Sequence, residues 1–241
     1  MSRPLITTIA ALALTACVDN NADSGLTILR NLAPATGCEI TADSTSFRGS
    51  GLIDTGASSG YLFTPVARND LLIADGESAT ARTIFVEGAH VTVGFFDDKL
   101  FTAAERDTFT TDGVTRFAIP TSGALDPGGG TATFNFEIVP VELLEAIGAK
   151  LPVGGSTLLN VSVQIYGSRT GSTVESNVFK YPVEVCKDCL KRNLGACATL
   201  PSNFEADPGG ACNLLQDGAL DCCMNGAIEV CPATPTDPPK T

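Results

Sequence analysis

Between residues 38 and 185 the apolar positions mostly recur at every second residue, the period of a strand with one buried face. Phe134, Phe136 and Ile138 alternate with Thr133, Asn135 and Glu137. Leu159, Val161, Val163 and Ile165 alternate with Asn160, Ser162 and Gln164. Phe179, Tyr181, Val183 and Val185 alternate with Lys180, Pro182 and Glu184. Residues 61–68 and 81–96 read as further strands. In the second of these, Ile84 and Val86 fall on even positions, whereas Val91, Val93 and Phe95 fall on odd ones. One extra residue near Gly88 restores a single buried face, so the pattern predicts a β-bulge there. Val141, Leu144, Ile147 and Leu151 keep helical spacing instead, which predicts a short helix over 141–151.

Turn residues punctuate these runs: Asp75-Gly76, Asp112-Gly113, the Asp126 to Gly130 stretch, Gly154-Gly155 and Gly171. About seven strands with little helix predict an all-β fold, specifically an immunoglobulin-like β-sandwich with a short crossover helix. A barrel is the competitor. Flanking segments differ in character. Residues 1–16 are an apolar leader, 17–37 are polar and small and read as a tether, and 38–185 are the sandwich. Residues 186–231 form a cysteine-rich disulfide module with few long apolar runs. Residues 232–241 contain four prolines and read as a disordered tail.

The cysteine positions sharpen this division. Of nine cysteines, seven lie after residue 185: Cys186, Cys189, Cys197, Cys212, Cys222, Cys223 and Cys231. An odd number cannot close on itself, and Cys38 is the remaining candidate once Cys17 is set aside. Full pairing therefore requires a bridge from Cys38 into the tail. Eight cysteines allow 105 connectivities, and excluding a bond between the adjacent Cys222 and Cys223 leaves about 90. Cys186-x-x-Cys189 resembles half a zinc ribbon or a redox pair. The second Cys-x-x-Cys and the strand-to-helix setting are missing, so the expectation is disulfides, no metal and no cofactor.

Composition removes several function classes. The chain has 241 residues, 44% of them hydrophobic, with 15 Lys plus Arg against 27 Asp plus Glu. A net charge of −12 argues against nucleic-acid partners, whose phosphates need cationic contacts. A single His and no Trp exclude His-rich metal centres.

Arg3 followed by an apolar stretch from Leu5 to Leu14 has the form of an export signal, too short to span a bilayer. Its ending, Leu14-Thr15-Ala16-Cys17, resembles the lipobox of bacterial lipoproteins. That resemblance implies a diacylglycerol thioether on Cys17, cleavage before it, and acylation of the new amino group. Two or more chains make such an anchor stable. Val18, rather than Asp, follows the cysteine, which favours the outer membrane. Loss of Arg3 with the leader makes the mature chain one unit more negative.

Leu52-Ile53-Asp54-Thr55-Gly56-Ala57-Ser58 resembles the active-site segment of retroviral-type and pepsin-type aspartic proteases, in which paired carboxylates activate water. The packing strand expected downstream has no counterpart, and Asp54 is read as a turn residue whose loss costs little. Gly56-Ala57-Ser58-Ser59-Gly60 matches the hydrolase nucleophile elbow, but its β-rich setting is wrong for that fold. His90 reads as an exposed strand residue. Asp97-Asp98 and Asp126 read as solvated turns rather than calcium ligands. The lipobox, the Phe85 to Val91 stretch, the strand running into Cys186 and the Cys222-Cys223 tail together resemble uncharacterised Cys-tailed surface lipoproteins of the myxobacterial type. The expectation is a lipid-anchored envelope protein with a binding or structural role. Its partners are the membrane, through the lipid, and a protein or glycan. The alternative is an aspartic protease using Asp54 in a dimer.

Overall fold

A computed structural model describes residues 24–235, and the leader and Cys17 lie outside them. In chain order the strands are β1 (Leu26–Leu32), β2 (Phe47–Arg48), β3 (Gly51–Asp54), β4 (Tyr61–Phe63), β5 (Pro65–Asn69), β6 (Ile84–Phe95), β7 (Arg116–Leu125) and β8 (Gly130–Thr133). They continue as β9 (Phe136–Val139), β10 (Ser156–Arg169), β11 (Ser172–Glu175), β12 (Phe179–Cys186), β13 (Lys191–Ala196), β14 (Leu220–Asn225) and β15 (Ile228–Val230). The α-helices among the described residues are α1 (Ala103–Thr111) and α2 (Val141–Lys150). The fold is thus all-β in class.

One sheet has the order β2-β1-β5-β8 and the larger one β3-β12-β10-β6-β7, with β11 paired to the end of β10. All these pairings are antiparallel except β3 with β12, which is parallel. β4 and β9 form a separate short pair. Alternation along β10 is complete: Leu159, Val161, Val163 and Ile165 are buried, and the residues between them are not. They join Leu26, Ile28 and Ala67 of the smaller sheet and Leu143, Leu144 and Ile147 of α2 in one core. Each such Val, Leu or Ile side chain contributes about 1.5–3 kcal/mol by leaving water.

The parity switch in β6 is realised as a bulge. Pairing slips between Val86 and Gly88 against β7, and Val86 and Gly88 take consecutive partners on β10. Ile84 and Val86 before it, and Ala89, Val91 and Val93 after it, all face the core. Pro182 is tolerated because β3 joins β12 only from Val183 onward, so at Pro182 β12 has β10 as its neighbour on one side.

Several boundaries differ from expectation. The segment 17–37 is not all tether: Leu26, Ile28 and Leu32 are buried in β1, which pairs with β5. The polar residues around them masked a short alternation. The stretch 61–68 is two strands in different sheets, divided at Thr64. There Asn31 Oδ1 accepts the Thr64 amide at 2.8 Å, and the Thr64 hydroxyl donates to the Leu32 carbonyl at 2.7 Å. The tail segment 232–241 is ordered at its start, where Ala233 is buried and donates its amide to the Asp221 carbonyl at 2.7 Å. Helix α1 was not anticipated. Its start carries a capping box, with Thr102 and Glu105 each bonding the other's backbone amide.

The cysteine-rich segment builds a three-stranded sheet, β13-β14-β15. Four disulfides join Cys38 to Cys212, Cys186 to Cys189, Cys197 to Cys223 and Cys222 to Cys231. Neighbouring residues of a strand face opposite ways, which is how Cys222 and Cys223 in β14 reach different partners. The tail is not a free-standing appendage, because Cys38 and the contacts described next fasten it to the larger sheet.

Candidate functional site

The Asp-Thr-Gly segment ends β3 where the tail crosses it. Asp54 is 1% exposed. Its Oδ1 accepts the amides of Gly56 (2.9 Å) and Asp188 (3.2 Å), and its Oδ2 those of Cys189 (2.7 Å) and Leu190 (3.0 Å). A carboxylate offers about four acceptor positions, and here four amides occupy them. Two belong to the turn closed by the Cys186–Cys189 bridge, in which Asp188 adopts a left-handed φ of 55°, and a third to Leu190 just after it. The motif singled out by sequence is therefore a clamp on the tail. Its burial departs from the reading of Asp54 as an inexpensive turn residue.

Residues 213–217 run beside β3 and satisfy its free edge. The Asp54 amide donates to the Leu215 carbonyl (3.0 Å), Ile53 bridges Gln216, and the Asp217 amide donates to the Leu52 carbonyl (2.8 Å). The side chains extend the pattern. Gln216 accepts the Leu62 amide and donates to the Leu62 carbonyl, both at 2.8 Å, so its carboxamide behaves like an added peptide group against β4. Asn213 donates to the Ser59 and Gly60 carbonyls.

Asp217 reaches further in. It accepts the Leu52 amide (2.7 Å) and the Tyr61 hydroxyl (2.9 Å), and it lies 3.5 Å from the Arg48 guanidinium. The Tyr61 hydroxyl also meets that of Tyr181 at 2.9 Å. Burial, then the Asp217 charge, raises the Tyr61 pKa well above that of a free tyrosine, and burial raises that of Tyr181. Both phenols therefore act as neutral hydrogen-bonding groups. A Cβ at Gly51 would collide with the Tyr61 ring, so this glycine makes room for the network. Sequence reading missed Asn213, Gln216, Asp217 and both tyrosines. Their partners lie up to 156 residues away, and no local spacing signals them.

The other sequence candidates lie elsewhere. Ser58 lines a depression of about 310 Å³ with residues of the 212–215 turn. His90 lines a different one, of about 500 Å³, on the outer face of β6, β7 and β10 with Thr92, Arg116 and Gln164. The His90 ring stacks on Tyr166 with centroids 4.5 Å apart. Tyr166 lies over Gly88, where any side chain would displace it. Asp97 accepts the Lys99 amide and Asp98 pairs with Arg106, both local turn contacts. Among the described residues, potential metal-ligand atoms converge at Asp54-Cys186-Cys189 and Cys222-Glu229-Cys231. The cysteines in both groups are disulfide-bonded, whereas metal binding uses thiolates.

No family model matches the chain, and no curated protein or solved structure matches it either.

Proposed function

We propose that the protein is a lipid-anchored component of a bacterial cell envelope, held at the outer membrane through Cys17, with a binding or structural role. The observation that carries this reading is Leu14-Thr15-Ala16-Cys17 directly behind a short apolar leader. Four disulfides agree with an oxidising compartment. The binding half draws support from the open polar groove at His90, where a stacked aromatic pair, a guanidinium and a carboxamide stand together on the outer face of β6, β7 and β10. An immunoglobulin-like reading of the fold is supported by strand order. With β1, β5 and β8 lettered A, B and E, and β12, β10, β6 and β7 lettered G, F, C and C′, the order of neighbouring strands corresponds to that of such a sandwich.

The aspartic-protease alternative requires a carboxylate open to water and to a second carboxylate. A buried Asp54 that accepts four amides gives it little support.

Replacement of the anchor residue tests the proposal. Cys17→Ser is expected to abolish acylation and move the protein from the membrane to the soluble fraction. Intact-mass measurement of the native protein showing an unmodified N-terminus at another residue would overturn the reading.

A further inference from the structure

The end of the molecule where the chain enters β1 carries a loop that follows β5. The base of this loop is pinned beside the first described residues. The Asp70 amide donates to the Gly25 carbonyl at 2.7 Å, and the Gly128 amide donates to the Leu71 carbonyl at 2.7 Å. Gly25, at φ +69°, lies so close to Leu71 that a side chain there would strike it. The tip is different: Leu72 is 78% exposed and Ile73 48%. From Asp70 to Ala81 the loop contains no Lys or Arg and three carboxylates, Asp70, Asp75 and Glu77, the first paired with Arg68 and the last with Arg82.

Single exposed apolar residues are ordinary on protein surfaces. Position gives this pair its meaning. Seven residue steps separate Cys17 from Ser24, and a fully extended chain of that length spans at most about 25 Å. A body of this size is roughly 40 Å across. A lipid on Cys17 therefore excludes an inverted stance on the bilayer and leaves Leu72 and Ile73, whose loop is bonded at its base to Gly25, on the tethered end of the molecule. The flanking guanidiniums of Arg68 and Arg82 are paired with Asp70 and Glu77, so the loop offers anionic headgroups little attraction, and the adjacent Leu-Ile pair is its apolar tip.

We infer that Leu72 and Ile73 form an apolar wedge that enters the phospholipid bilayer holding Cys17 and so fixes the orientation of the sandwich on the membrane. The inference rests on the anchoring reading above. The occupant is the lipid surface itself, and the contact is hydrophobic rather than electrostatic.

The chain contains no tryptophan, so one introduced residue is a unique reporter. Full-length Leu72→Trp, made with its own export signal, is reconstituted into phosphatidylcholine vesicles with brominated acyl chains. Ile73→Trp is the second variant. Phe96→Trp is the control, being 77% exposed and at the far end of β6, roughly 35 Å away along the strand. Flotation and intact mass are read first. If the protein is not acylated and does not float, the anchoring reading fails and the wedge with it. If it floats, emission from Leu72→Trp and Ile73→Trp is expected to shift to the blue, with bromine quenching about twofold or more above the control, for a depth of about 5–10 Å. The shift should persist in high salt. Floating protein whose Leu72→Trp and Ile73→Trp forms are quenched no more than Phe96→Trp overturns the wedge and leaves the anchor standing.

Discussion

Asp54 shows how a residue chosen for one chemistry serves another. Substituting Asn removes one acceptor oxygen and turns an amide NH2 toward backbone amides that are already donors. Up to two buried N–H groups then lose their partner, at about 1–3 kcal/mol each. We expect Asp54→Asn to destabilise the protein by about 2–4 kcal/mol, read as a lower urea midpoint at unchanged slope. Asp97→Asn, at an exposed turn, should stay within roughly 0.5 kcal/mol of the parent. A loss no greater for Asp54→Asn than for Asp97→Asn would remove the clamp from the account of stability. The candidate was legible because Asp-Thr-Gly is a recognisable string. Its job was not, because three of the four donors come from residues 188–190, more than 130 positions away.

At the level of elements, the period-two runs were legible because burial on one face forces alternation, and the bulge because a parity change has few other causes. Helix α1 was not, since none of its residues is fully buried and no apolar stripe marks it. It is held by half-buried Phe109, which packs on Phe101 and Phe95, and by polar contacts at its start. Glu105 accepts Lys150 Nζ from α2 at 2.8 Å, and it also accepts the amide and hydroxyl of Thr102. The Lys150 contact first, then the Thr102 bonds, hold the Glu105 carboxyl at about 2. Because that lies below the ordinary value of 4.5, the stabilisation is complete above about pH 4.5 and is lost as pH falls toward 2. Urea midpoints of the parent and Glu105→Gln should therefore differ most above pH 4.5 and converge near pH 2. The gap should be small, since the pair is solvated. A constant gap across this range would show that Glu105 acts through packing alone.

The whole molecule is held by links of very different reach. Cys38–Cys212 spans 174 residues, whereas Cys222–Cys231 spans 9. On the chain-entropy account these correspond to about 5 and 2.6 kcal/mol. The double variant Cys38→Ser/Cys212→Ser should accordingly lower stability more than Cys222→Ser/Cys231→Ser, with calorimetry as the readout. Equal losses would mean that the β3 hydrogen bonds alone fasten the tail. The need for a bridge from Cys38 was legible by counting, but its partner was not, because spacing carries no information about which tail turn returns to β3.

That return has a consequence for how the protein is made. A chain emerging N-terminus first can pair β1 with β5 once residue 69 is out, yet β3 finds its neighbours only with residues 183–186 and 215–217. Cys38 meets Cys186, Cys189 and Cys197 before Cys212 appears. An oxidant acting during emergence can join Cys38 to one of these earlier thiols, an error that thiolate exchange undoes. Where such an early bond forms, native pairing requires thiol–disulfide exchange, whereas oxidation after the chain is complete avoids the error.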